Sequence, residues 1–358
     1  MRVARLWLND FRNYTSVEVP FGPGLTVLVG SNGAGKTNLL EALGYLATLS
    51  SFRGAPGEAL VRDGCAAAIV RAEALRQERS VLIEAELRTV GRDRVLVNRQ
   101  PLRRSRDLLG ALRVTVFAPD DLAVVKGGPA GRRRFVDEVL VALHPKWDGL
   151  QRDVDRVLRQ RNTLLRQAGG RLTPEVASTL DVWDAKLGEL GEALAKSRRQ
   201  LLCDLEPEIG KAYDQVSAAS ADIGASYGQA WEGDLLEALA RSRKDDLRRG
   251  VTLIGPHRDD VVLTIGGLPA RSHASQGEQR SMALALKLAA HRFVSDAVEE
   301  APVLLLDDVF SELDAVRARA LLLALPAGQT VLTTAGPVPE DAAPDAVLRV
   351  GDGEVRPA

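Results

Sequence analysis

The sequence predicts an α/β fold in which strand-rich ends enclose a helical middle. Three observations carry that expectation. Short apolar, strand-like runs fall before residue 118 and again after residue 260, and the chain between them reads mostly as helix. A glycine-rich loop, Gly30 to Thr37 with the sequence G-S-N-G-A-G-K-T, joins one of the strands to a helix. The third is Pro302 to Asp307, a continuous apolar run of the kind a fully buried parallel strand uses.

The loop matches G-x-x-x-x-G-K-[ST] in full, and its surroundings fit. Gly24 to Val29 is a short β-rich stretch, and Asn38 to Leu49 reads as a helix. Such a turn points successive backbone N–H groups at one spot, where the helix dipole favours negative charge. Glycine is needed because a Cβ would block positive φ and hold the backbone away from phosphates. Gly30, Ser31, Asn32, Gly33, Ala34, Gly35, Lys36, Thr37 and Asn38 are therefore the expected nucleotide cradle. Lys36 would reach the β- and γ-phosphates, and the Thr37 hydroxyl would ligate Mg²⁺.

Composition sets the frame. At 358 residues, 45% apolar and 27% charged, the chain suits a soluble protein of two domains or lobes. Cys65 and Cys203 lack metal-site spacing, no apolar run approaches the ~18 residues of a membrane helix, and the N-terminus has no signal-peptide core. A cytoplasmic protein without a membrane partner is expected.

In order, strands are expected at Val3–Leu8, Ser16–Val19 and Leu25–Val29, then antiparallel pairs across 67–87 and at Arg94–Val97 with a turn at Asn98–Gln100. A further strand, Arg113–Phe117, ends at Ala118-Pro119-Asp120-Asp121. Helices follow at Arg132–Leu143, Trp147–Gln167, Thr173 to about Cys203 with a kink or restart at Pro207, and Trp231–Arg248. Strand Val261–Ile265 turns at Gly266-Gly267, a helix runs from about Gln276 to Val294, and Leu313–Leu325 is helical before strand Gln329–Thr333. The division expected is a discontinuous head, 1–122 and 250–358, with an inserted helical lobe, 123–249.

Asp307 and Asp308 close the buried strand at its C-terminal end, where open parallel sheets bind ligands. Asp307 is the expected Mg²⁺-side carboxylate, and Asp308 would position or deprotonate the attacking water. With Lys36 they are the expected catalytic set. Ser275-Gln276-Gly277-Glu-Gln-Arg280 resembles the signature motif of ABC-type ATPases, a second phosphate cradle at a helix N-terminus. Ser275 equally suits an N-cap with Glu278 completing a capping box, and both roles can hold. One cradle already encloses the nucleotide, so the second makes sense against nucleotide held by another copy. A two-fold, head-to-tail homodimer with ATP at the interface is implied. Ser311 to Asp314 takes the D-loop position along the same interface.

These pieces together resemble the RecF family, recombination and repair ATPases related to the SMC proteins. The resemblance rests on N-D-F-R-N-Y (Asn9 to Tyr14), the phosphate loop through Ala42, S-F-R (Ser51 to Arg53), F-A-P-D-D-L (Phe117 to Leu122), R-R-R-F-V-D (Arg132 to Asp137), G-P-H-R-D-D (Gly255 to Asp260), S-Q-G-E-Q-R and L-L-L-D-D-V-F-S-E-L-D (Leu304 to Asp314). It implies an ABC-type ATPase head, ATP and Mg²⁺ as cofactors, and a DNA-binding ATPase that dimerises on ATP. It also implies action on duplex DNA and gap junctions with RecO and RecR, so that RecA is loaded at single-strand gaps. Arg12 and Asn13 would sit near the base and α-phosphate. Two departures from the transporter pattern stand out: Asp308 replaces the usual glutamate, which predicts slow hydrolysis, and Thr333 or Thr334 replaces the usual histidine. No glutamine marks a Q-loop; Asp120 and Asp121 are its only candidates.

For DNA, residues 126–171 carry a net charge of +6 and residues 85–113 a net +5, within a chain whose total is −1. Arginine binds phosphate oxygens without reading sequence. Arg132, Arg133, Arg134, Arg152, Arg156 and Arg159 are the candidate contacts, against a solvated helical face as the plainer reading. Two rival functions stay open: a transporter-type subunit, whose two motifs stand much closer together than the ~240 residues here, and a nucleotide-gated scaffold or clamp.

Overall fold

Alternating residues at the N-terminus produce a long strand, β1 (Arg2–Phe11), which buries Val3, Leu6, Leu8 and Phe11. A register shift between Val3 and Arg5 breaks the period of two, and so puts Val3 and Leu6 on the same buried face. The computed structural model describes residues 1–76, 79–217, 219–338 and 341–358. Residues 77 and 78, inside the predicted 67–87 stretch, lie outside the described set.

After β1 come β2 (Tyr14–Pro20), β3 (Leu25–Val29), α1 (Lys36–Thr48), β4 (Ala67–Arg76), β5 (Arg79–Arg88), β6 (Arg94–Val97), β7 (Gln100–Pro101) and β8 (Val114–Phe117). The middle holds α2 (Leu122–Lys126), α3 (Pro129–Leu143), α4 (Lys146–Gln167), α5 (Pro174–Val216), β9 (Ile223–Gly228) and α6 (Leu235–Arg249). Then follow β10 (Asp260–Ile265), β11 (Leu268–Pro269), α7 (Ala270–His273), α8 (Gln276–Val298), β12 (Val303–Asp307), α9 (Ala315–Ala324), β13 (Thr330–Thr334), β14 (Ala346–Gly351) and β15 (Glu354–Pro357).

The chain divides into two units. The first comprises 1–121, 211–220 and 280–358, and holds two six-stranded sheets. One is antiparallel, in the order β2-β1-β4-β5-β6-β7. In the other, β15-β14-β3-β13-β12-β8, only the β14–β15 pair is antiparallel. Helix α1 touches strands of both sheets, and its Leu39, Leu40, Leu43 and Leu46 join Leu6, Leu8, Leu28, Leu305 and Val331 in one buried cluster. The second unit, 122–210 and 221–279, is mainly helical and carries the three-stranded sheet β11-β10-β9. Its core gathers Val154, Val157, Leu187, Leu194, Trp231 and Leu239.

Four departures from expectation have physical reasons. Residues 250–279, expected with the head, cluster with the helical unit, because β10 pairs with β9 rather than with a head strand. Of the kink or restart expected at Pro207, the restart does not occur: α5 continues through it to Val216. Leu205 and Ile209 flank the proline and are fully buried, so packing outweighs the lost backbone bond. Helix α6 begins at Leu235 rather than Trp231, because the Asp234 side chain caps it by accepting the Glu237 N–H. Strands β7, β9, β11, β14 and β15 go beyond the sequence expectation; β14 and β15 meet at a hairpin where Asp352 and Gly353 both have positive φ.

Candidate active site

Strand β3 lies between β14 and β13, and β12 lies beyond β13. The phosphate loop and the strand ending in Asp307 are therefore one strand apart, with the C-terminal end of β13 between them. At the loop, Gly33 has φ 82 and Gly35 has φ 105, conformations that disfavour a side chain. A Cβ on Gly35 would lie 2.5 Å from Asn13 Nδ2 and 2.8 Å from the Tyr14 hydroxyl, and one on Gly30 would lie 2.3 Å from the Val350 carbonyl oxygen. Neighbouring chain thus packs the outside of the cradle so closely that only glycine fits.

Lys36 Nζ donates to the carbonyls of Gly30 at 2.7 Å and Ser31 at 2.9 Å, which arches the loop over its own ammonium. Thr37 Oγ1 donates to Asp307 Oδ1 at 2.8 Å, across a separation of 270 residues. Thr333 Oγ1 donates to the same oxygen at 2.9 Å and accepts the Asp308 N–H at 2.9 Å. Burial pushes the Asp307 carboxyl above the usual range, against the pull of the Thr37 and Thr333 bonds. Burial likewise lowers the Lys36 ammonium, against the pull of Asp308 and Asp307. Each group is disfavoured in its charged form, so anionic oxygens beside Lys36 and a divalent cation beside Asp307 would complete what the fold leaves short. The cradle, lysine, hydroxyl and carboxylate fit a Mg²⁺-bound nucleoside triphosphate.

A cavity of about 850 Å³ opens here, lined by Asn32, Gly33, Gly35, Lys36, Thr37, Asn38, Asp308 and Thr333, and across from them by Arg12, Asn13, Arg53, Glu58 and Asp63. Gly30, Ser31 and Ala34, expected in the cradle, are not among the lining residues; the Ala34 N–H donates to the Ser31 carbonyl at 3.2 Å. Asn13 bridges loop and helix: its Nδ2 donates to the Ala34 carbonyl at 3.3 Å, and its Oδ1 accepts from Asn38 Nδ2 at 2.7 Å.

Sequence reasoning missed the residue that gathers these pieces. Glu41, on α1 and fully buried, accepts Arg12 Nε and Nη2 at 2.8 Å each and the Ser51 hydroxyl at 2.5 Å. Arg53 Nη1 lies 3.9 Å from the same carboxylate. Glu41 thus ties N-D-F-R-N-Y, the phosphate-loop helix and S-F-R to one carboxylate. A carboxylate at an otherwise apolar position of a buried helix was the available signal. Asp120 and Asp121 do not line the cavity; Asp121 is held by Lys287 at 2.7 Å and by the Ala118 N–H at 2.8 Å.

In the helical unit, the capping box at α8 is formed: Glu278 N–H donates to Ser275 Oγ at 3.3 Å and Ser275 N–H to Glu278 Oε2 at 2.7 Å. Ser275 and Gln276 remain exposed, and Gly277 is half-buried. Among the basic candidates, Arg132 must be corrected. It is 5% exposed, bonds Asp260 through Nε at 2.8 Å and Nη2 at 2.9 Å, and so holds the unit together instead of facing solvent. Arg133 Nη1 is turned to the Asp259 carbonyl at 2.5 Å. Arg134, Arg152, Arg156 and Arg159 are exposed, with Arg152 and Arg156 paired to Asp148 and Asp153 on their own helix.

The RecF/RecN/SMC N terminal domain family matches residues 2–332. A "DNA replication and repair protein RecF" from Streptomyces avermitilis is 46% identical over 351 residues, covering 94% of this chain and 93% of that protein. The chain belongs to the RecF family. Within that family, the protein of the same description from Frankia alni is 45% identical over 354 residues, covering 94% of this chain and 93% of the relative. A solved RecF-ATP structure, described as a recombination mediator protein in the RecFOR pathway, superposes with a TM-score of 0.91 at 28% identity, covering 99% of this chain and 97% of that one. An Smc head bound to the C-winged helix domain of ScpA shares the fold, with a TM-score of 0.61 at 17% identity over 100% of this chain and 97% of the other. The architecture is therefore that of the ABC-type ATPase head found in RecF and SMC proteins. Among the described residues, no helix is long and apolar enough to cross a membrane.

Proposed function

We propose that the chain is an ATP-dependent, DNA-binding switch of recombinational repair. It dimerises on ATP, hydrolyses it slowly and helps load RecA at single-strand gaps with RecO and RecR. The observation that carries this reading is the meeting of Thr37 and Asp307 beside Lys36, within a cavity walled by Arg12, Asn13 and Arg53. The RecF-ATP relative, matched over nearly its whole length, supports ATP as the ligand.

Thr37 and Asp307 would hold Mg²⁺, which neutralises developing charge on the phosphates when bound. The Thr37 hydroxyl donates its proton to Asp307, which keeps its oxygen lone pairs available. Lys36 supplies positive charge to the β- and γ-phosphates, and the loop N–H groups orient them. Asp308 is the group that positions or deprotonates water. It stands at φ 47, ψ 29, a left-handed conformation aspartate tolerates better than most residues. Its reach is one methylene shorter than a glutamate's, which favours slow turnover. Ser275, Gln276 and Gly277 cap the γ-phosphate held by a second copy, and Ser311 and Asp314 lie along that interface. DNA phosphates engage Arg134, Arg152, Arg156 and Arg159, with Arg133 beside them. A nucleotide-gated clamp, in which turnover only times release, is the second reading, and the short Asp308 carboxylate is the observation that favours it.

ATP affinity and turnover, with and without duplex DNA, test the proposal against Lys36→Ala. Wild type is expected to bind ATP with Mg²⁺, to turn over slowly and to speed up on DNA, while Lys36→Ala loses binding. Absence of ATP binding by the wild type, or rapid turnover without DNA, overturns it.

A further inference from the structure

Strand β13 is the one strand between the phosphate-loop strand and the carboxylate strand. Its register places Thr333 beside Asp307 on one side and Leu28 on the other. Two adjacent threonines end this strand, and they do different things. Thr334 Oγ1 accepts the Gly336 N–H at 3.1 Å and so serves its own turn. Thr333 is fully buried, and its single hydroxyl donates to Asp307 Oδ1 while accepting the N–H of Asp308. One atom therefore fixes both the carboxylate expected beside the metal and the backbone that carries the carboxylate expected beside the water. That backbone is left-handed, at φ 47, so the bond to Thr333 also holds a conformation the strand would not continue into unaided.

We propose that Thr333 is the positioning residue of the hydrolytic step, setting the spacing between Asp307 and Asp308. The proposal rests on the reading that the cavity binds a nucleoside triphosphate, and deepens it. Thr37 and Thr333 converge on the same oxygen of Asp307. Thr333 lines the cavity and steadies Asp307 but makes no bond to the phosphate loop or Lys36, so removing its hydroxyl leaves the N–H cradle, the lysine and the Thr37 bond to Asp307 in place. Ground-state binding, which those groups supply, should then survive, and the step that needs Asp308 aimed at water should not.

The test compares wild type with Thr333→Val, Thr333→Ala and Thr333→Ser. Valine keeps the volume and branching and loses only the hydroxyl; alanine carries the same comparison if valine does not fold. The expected result is ATP affinity within about twofold of wild type and a kcat lower by about tenfold, the size of one lost hydrogen bond. Serine should restore kcat to within about twofold. A second readout needs no ATP. Amide hydrogen exchange at Asp308 in the nucleotide-free protein should quicken by about tenfold or more in the valine variant and return towards wild type with serine. Unchanged kcat and exchange in the valine variant overturn the inference, as does failure of serine to restore either. A wild type that binds no ATP instead overturns the reading beneath it.

Discussion

Two of the arginine–carboxylate clusters among the described residues, one in each unit, differ in how they meet solvent. Arg161 of the helical unit is fully buried, clasped by Asp184 at 2.6 Å and Asp246 at 2.7 Å, both also fully buried. Arg12 of the head is clasped as tightly by a fully buried Glu41, but its side chain is 20% exposed and lines a cavity. Arg161 itself is sealed from solvent, and the cluster's outward link runs from Asp184 to the part-exposed Arg243 at 2.6 Å, so the Arg161 guanidinium acts on the fold. The second has one end open, so the same chemistry fixes an arginine where a ligand can meet it. Buried charge by itself does not mark a functional site; buried charge holding a partner at a cavity wall does.

On the stability scale, the largest expected effect comes from breaking the sealed cluster. Arg161→Leu leaves the buried Asp246 without its arginine and Asp184 with Arg243 alone, and should cost about 3–5 kcal/mol in urea unfolding, with ATP affinity of the folded protein unchanged. Equal damage to ATP affinity would erase the distinction between the clusters.

Acid comes next, and it touches both units. Burial lowers His291 in the head and His257 in the helical unit to about 4. Both stay neutral when folded and take up a proton near 6.5 when unfolded. Their contribution is therefore full above about pH 6.5 and is lost as pH falls towards 4, by up to about 3 kcal/mol for each. Melting temperature followed across that window should fall, and His291→Leu should flatten the slope.

Opening the second cluster is gentler on the fold and harsher on binding. Glu41→Gln should cost about 1–2 kcal/mol of stability, while lowering ATP affinity about tenfold in calorimetric titration because Arg12 is no longer held. Charge reversal at Arg152, Arg156 and Arg159 is the mildest for folding, within about 0.5 kcal/mol, since all three are exposed. Duplex affinity and its salt dependence should both drop. A wild-type salt slope in that variant would remove this face from DNA contact.

The phosphate loop, the Asp307 strand end and the Ser275–Glu278 capping box were legible because their chemistry is local: glycines, a lysine and a hydroxyl at fixed spacing, or a carboxylate ending an apolar run. Glu41 was not, and of Thr333 only its place, shared with Thr334, at the usual histidine position was, because their roles exist only once distant segments meet. Glu41 looks like one charge on a helix until Arg12, Ser51 and Arg53 arrive from other segments. Thr333 looks like a strand end until β13 slots between β3 and β12. Arg132 misled for the converse reason: charge density along 126–171 cannot say which arginines point inward, and Asp260, which claims this one, lies 128 residues away. The sequence puts the return to the head at residue 250, because the β9 partner that keeps β10 with the helical unit shows only once the two strands pair.

The central claim is that ATP joins two copies across Ser275 and Gly277. Mass in solution by light scattering, for wild type and Ser275→Arg with ATP, with ADP and without nucleotide, tests it most directly. Wild type should double in mass with ATP alone, and Ser275→Arg should bind ATP yet stay a monomer. A Ser275→Arg protein that doubles with ATP as wild type does, or a wild type whose mass ignores nucleotide, would contradict the account.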